Sequence, residues 1–146
     1  MPIKFFDHTA DVGAHLGAPT LEALFVEAAV ALTETLCDPY GVEPRLSRTV
    51  IVHAPDVNQL LVEWLSELIG RFDIEQFLAH TTSVSISEEL DAADGADRYH
   101  LEATLCGEPF DQDRHEIRVA VKGITYHLLH IKRTVEGWAA TVVFDI

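Results

Sequence analysis

TLEALFVEAAVALTETLCDP, residues 20–39, decides the fold class. Leu21, Leu24, Phe25, Ala28, Ala29, Leu32 and Leu36 recur at the three- and four-residue spacing of one helix face. Thr20 precedes them as a hydroxyl N-cap, and Asp38-Pro39 ends the pattern. A second stretch, DVNQLLVEWLSELIGRF (56–72), repeats the period with Val57, Leu60, Leu61, Trp64, Leu65, Leu68, Ile69 and Phe72. Asp56 and Gln59 have the spacing of a capping box at its start. Two amphipathic helices are therefore expected.

Around them the period falls to two. Thr49–His53 reads as an apolar strand, and Val84 and Ile86 alternate with serines. Tyr99, Leu101, Ala103 and Leu105 alternate, as do Ile117, Val119 and Val121, and Thr125–Thr134 and Trp138–Ile146 follow. The acidic LDAADGAD (90–97) is a turn between two of these strands. Short connections favour antiparallel hairpins over crossovers. The expectation is an α+β fold: two helices packed on a mostly antiparallel β-sheet, in a single domain over 1–146. The final strand reaches Ile146, so its end should be held in the sheet rather than fray.

Acids outnumber bases 24 to 10, for a net charge of −14. Direct, strong nucleic-acid binding needs clustered Lys and Arg, and only the small Lys132-Arg133 pair is present. The charge suits cations or a basic surface on another protein. No apolar run is long enough to cross a bilayer, and no basic segment followed by an apolar one opens the chain. A cytoplasmic protein with no membrane association is expected. Cys37 and Cys106 stand far apart without CxxC partners, as reduced core thiols do.

The eight histidines are scattered, with no HExxH spacing, and no nucleophile motif, Walker loop or GxGxxG occurs. Carboxylates stand in less ordinary places. Asp7 and Asp11 flank the His8-Thr9-Ala10 segment, Asp38 ends the first helix, and Asp145 precedes the terminal Ile146. Hard cations such as Ca²⁺ and Mg²⁺ take several oxygen ligands, and a side-chain and a main-chain carboxylate at adjacent positions can reach one ion. The spacing equally allows Asp11 to cap a turn and Asp145 to be simply solvated.

FFDHTADVG (5–13) resembles the F-x-H-T-A-D-x-G opening of the archease family. LEALFVEAAVAL and LLVEWLSELI resemble that family's two helices, and GEPFDQDRHEIRVAVKGITYH (107–127) is similar to its G-E…D…H…K-x-x-T-Y-H stretch. WAATVVFDI (138–146) resembles its terminal W-x-A-x-V-x-x-D-[IVL]. The least matched regions are 40–47 and 90–97. The resemblance implies a non-catalytic accessory protein of the RtcB-type RNA ligase, which joins RNA 2′,3′-cyclic phosphate or 3′-phosphate ends to 5′-hydroxyl ends in tRNA splicing and RNA repair. Such a protein promotes guanylylation of the ligase and its multiple turnover. It also implies a divalent ion, calcium or magnesium, held by Asp11, Asp145 and the terminal carboxylate of Ile146. Asp38 is a weaker candidate, and His8 braces the turn more readily than it binds the ion. Lys122, Thr125, Tyr126 and His127 belong to the resembling segment without an assigned role.

Two rival classes carry different marks. A metal-dependent phosphohydrolase would use the same acids but needs a general base, for which His8 or Lys122 would have to serve, and a second cation. A general chaperone-like scaffold would expose a contiguous apolar patch.

Overall fold

The computed structural model describes residues 3–8 and 11–146, without the side chains of Phe6, Asp7, His8 and His127. The strands β1 (Lys4–His8), β2 (Asp11–Ala18), β6 (Gly123–Ile124), β7 (His130–Thr134) and β8 (Gly137–Asp145) form one sheet. Its order is β1-β2-β8-β6, with β7 also on β8. The strands β3 (Leu46–Ala54), β4 (Phe77–Glu88) and β5 (Tyr99–Pro109) form a second sheet, ordered β3-β5-β4. Every strand pair among the described residues is antiparallel. The helices α1 (Leu21–Leu36) and α2 (Val57–Glu75) lie between the sheets. Helix α1 packs on β2 and β8 on one side and β4 on the other, and α2 on β3 and β5 as well as β6 and β7.

The expected class holds, with the single sheet resolved into two. This position explains the composition of α1. It has contacts on opposite sides, so none of its residues is fully exposed, and Ala28, Ala29 and Ala31 let strands approach closely. Phe25 and Trp64 are both fully buried where the helices meet, and Trp64 Nε1 donates to Phe25 O at 2.9 Å. A buried indole N–H without that partner would be costly.

Both helix starts follow the sequence. Thr20 accepts from Ala23 N at 3.1 Å, and Asp56 from Gln59 N at 2.8 Å. The capping box is only half made, because the Gln59 side chain turns forward to Glu63 at 3.0 Å. Helix α2 stops at Gln76, whose φ of 55° is left-handed.

Two strand expectations fail. Ile117–Val121 is not a strand: only Ile117 bridges to Cys37, while Arg118 N donates to Leu36 O at 2.8 Å and its guanidinium to Glu34 O at 3.0 Å. The stretch satisfies carbonyls that α1 leaves unpaired at its end. Thr125–Thr134 is not one strand either. Ile124 opposes Phe144 and His130 opposes Thr141, so six steps on one side face three on β8. The surplus forms a 3₁₀ turn at Tyr126–Leu128. Cys37 is buried, whereas Cys106 is only partly so. Among the described residues, no helix is long and apolar enough to cross a membrane.

Candidate functional site

The strand β2 leads from Asp11 to Ala18 and then directly into α1, so Asp11 lies at the C-terminal end of that helix. Ala14, Leu16 and Ala18 point into the core, and alternation sends Asp11 to the outer face. On β8, Ala140, Val142 and Phe144 point inward, and Asp145 is exposed on the same outer face. The register then sets Asp11 directly opposite Asp145. Opposed residues of an antiparallel pair have Cβ atoms about 4.5–5.5 Å apart. Two carboxylates thus meet across neighbouring strands.

The next residue turns back. Ile146 packs against the core, which fixes the chain beside Asp145. Lys122 N donates to Asp145 O at 2.7 Å, and Gly123 opposes Asp145, so the far edge of β8 is clamped at the same level. The expectation of a strand held to its last residues is met.

Asp11 begins a strand rather than occupying a turn, and Thr9 and Ala10 lie outside the described residues. His8 stands opposite Asp11 in the register, and its side chain lies outside the described part. Asp38 is engaged elsewhere: its Oδ1 accepts from Tyr40 N at 3.0 Å and caps the 3₁₀ turn Pro39–Gly41. Among the described residues, no three His, Cys, Asp or Glu side chains converge as a metal cluster. Asp11 and Asp145 would offer a cation carboxylate oxygens from two adjacent strands. Such an all-oxygen set fits a hard divalent ion and not a soft one.

The outer face changes character along β8. Beyond the acid pair, His15 Nδ1 meets Thr141 Oγ1 at 3.0 Å, and His130 opposes Thr141 from the other side. Lys132 opposes Ala139 one row further on. The face therefore runs from two carboxylates to imidazoles and a lysine.

Sequence reasoning missed a second polar centre at Glu108, which is only 2% exposed. Its carboxylate accepts from Glu43 N at 2.7 Å, from the Arg114 guanidinium, and from His115 Nε2 at 3.0 Å. Asp111 N donates to His115 Nδ1 at 2.8 Å, so Nε2 carries the ring proton toward Glu108. The Arg114 hydrogen bond, joined by those from Glu43 and His115, outweighs burial and lowers the Glu108 pKa to about 2. These contacts tie the loop 110–117 to the end of β5. The charged run EPFDQDRH was the only signal, and it reads equally as a solvated loop.

Comparison with known proteins bears on the whole chain. The model of the Archease protein family matches residues 4–146. Protein archease of Methanosarcina mazei is 32% identical over 143 residues, covering 98% of this chain and 94% of that one. Protein archease of Methanopyrus kandleri is 34% identical over 146 residues, covering all of both. The solution structure of Methanobacterium thermoautotrophicum protein 1598 is 32% identical with a TM-score of 0.78, covering 99% of this chain and 98% of that one. A Thermotoga maritima crystal structure, described as an archease and possible chaperone, is 18% identical with a TM-score of 0.62 and shares the fold. It covers 98% of this chain and 96% of that one.

Proposed function

The chain belongs to the archease family, and from that premise we propose that it is an accessory protein of an RtcB-type RNA ligase. In this role it promotes guanylylation of the ligase and repeated turnover in tRNA splicing or RNA repair, and catalyses no step itself. It acts with one hard divalent ion, calcium or magnesium, held by Asp11, Asp145 and the terminal carboxylate of Ile146.

The pairing of Asp11 with Asp145 carries this reading. Two carboxylates at one level of the sheet can share one divalent cation, and the adjacent Ile146 carboxylate supplies a further hard oxygen. The packing of Ile146 limits how far that group can stray. Asp38 is left out of the set because its carboxylate caps a turn.

The net charge of −14 supports docking on a basic partner surface, as an RNA-handling ligase presents. A chaperone-like scaffold is the second reading, and Tyr40, Ile51, Ile74, Leu90 and Val135 are among the large apolar residues exposed for it.

The test is multiple-turnover RNA ligation with the ligase limiting. Wild type is expected to stimulate turnover, and folded Asp11→Ala and Asp145→Ala to lose that stimulation. Stimulation by all three would keep the role and overturn the site. No stimulation by wild type, with an active and charged ligase, would overturn the role.

A further inference from the structure

The strands β3 and β5 pair so that His53 stands opposite His100. Val50, Val52 and Ala54 of β3 and Leu101, Ala103 and Leu105 of β5 point toward the helices. Alternation therefore sends both histidines to the outer face of the three-stranded sheet. The two rings meet edge to face, with an interplanar angle of 82° and centroids 5.3 Å apart. Their Nδ1 atoms converge to 3.2 Å.

That separation has two chemical readings. One neutral imidazole can donate to the other across it. It is also close to the distance between two ligands of one tetrahedral ion: metal–nitrogen bonds of about 2.0–2.1 Å at the tetrahedral angle give about 3.3–3.4 Å. The surroundings favour the second reading. His100 Nε2 lies 3.9 Å from Glu89 Oε2. With Nδ1 on a metal, Nε2 carries the ring proton and faces a carboxylate, the partner that ordinarily orients a metal-binding imidazole. The gap is longer than a hydrogen bond, and a small turn of the exposed Glu89 side chain closes it.

We propose that His53 and His100 form a two-histidine site for a borderline divalent transition ion, Zn²⁺, Cu²⁺ or Ni²⁺, with Glu89 orienting His100. Imidazole donors select such ions over Ca²⁺ and Mg²⁺. Two protein ligands leave the remaining positions to water, so the ion is exchangeable. The site is separate from the carboxylate pair. His53 lies one residue before the end of β3, which leads through Pro55-Asp56 into the N-terminus of α2, whereas Asp11 lies at the C-terminal end of α1.

The experiment uses the full chain, stripped with EDTA and returned to excess Ca²⁺ so that oxygen-lined sites are filled. Zn²⁺ is titrated calorimetrically, and Cu²⁺-loaded protein is examined by pulsed electron paramagnetic resonance to count coordinated imidazoles. The expected result is one ion per chain with two imidazole nitrogens. His53→Ala and His100→Ala should each leave one nitrogen and lower Zn²⁺ affinity by more than about tenfold, and Glu89→Gln should keep both nitrogens while weakening binding by about tenfold. His80→Ala, at an exposed histidine of β4 outside the pair, should change neither readout. Absence of saturable Zn²⁺ binding, a nitrogen count other than two in the wild type, or binding unaffected by both histidine substitutions would each overturn the proposal. The wild-type count needs no variant to fold.

Discussion

Glu108 is almost wholly buried and still carries its charge. Arg114, the Glu43 N–H and His115 all donate to it, and they hold its pKa near 2 against the opposing effect of burial. A depressed carboxylate contributes stability that is complete above the unfolded-state pKa of about 4.5 and is lost as pH falls toward about 2. Acid unfolding should therefore steepen across that window. Glu108→Gln should remove that dependence and destabilise the fold at neutral pH by about 1–2 kcal/mol, because the hydrogen bonds from Arg114 and His115 lose their charged acceptor. Chemical denaturation at several pH values checks both. The residues at this centre were visible in the sequence as acids, an arginine and a histidine. Their convergence was not, because Glu43 and Glu108 are far apart along the chain and meet only through tertiary structure. Asp11 and Asp145 differ in degree. Alternation along TVVFDI assigns Asp145 to a face, but its partner follows from register, which no local pattern states.

At the scale of elements, hydrophobic period and caps carried the two helices, while edge strands were poorly legible. The alternation of Ile117, Val119 and Val121 is real, and Val121 is buried, yet the stretch finds no strand to pair with along its length. It runs across the end of α1, where Arg118 serves the Leu36 and Glu34 carbonyls. A cation at a helix C-terminus also meets the negative end of the helix dipole. Arg118→Ala should destabilise the protein by about 1 kcal/mol and raise amide exchange in the last turn of α1 more than elsewhere. Hydrogen exchange measured by mass spectrometry distinguishes that from a uniform loss. The break at Tyr126–Leu128 was equally invisible, since a mismatch of three residues against β8 is a property of two strands together.

At the scale of the molecule, two sheets enclose the helix pair, and this explains why α1 has no exposed face. A helix apolar on more than one side signals contact on both, so the second layer had a trace in AAVALTETL. The division of strands between sheets had none. In the proposed role, the net charge of −14 would place docking on a basic ligase surface under ionic control. Association with a basic partner should weaken as salt rises, mainly through a slower on-rate, and stopped-flow binding across a salt series checks this.

The proposed function stands or falls on whether Asp11 and Asp145 share a cation. Calcium titration of the metal-free chain, followed by calorimetry and by thermal unfolding, tests it most directly, with wild type beside Asp145→Asn. One ion per wild-type chain and a melting temperature that rises with calcium are expected. The variant should bind no ion there, and its melting temperature should not respond to calcium. Equal calcium binding by both proteins, or a wild type whose unfolding ignores calcium, would contradict it.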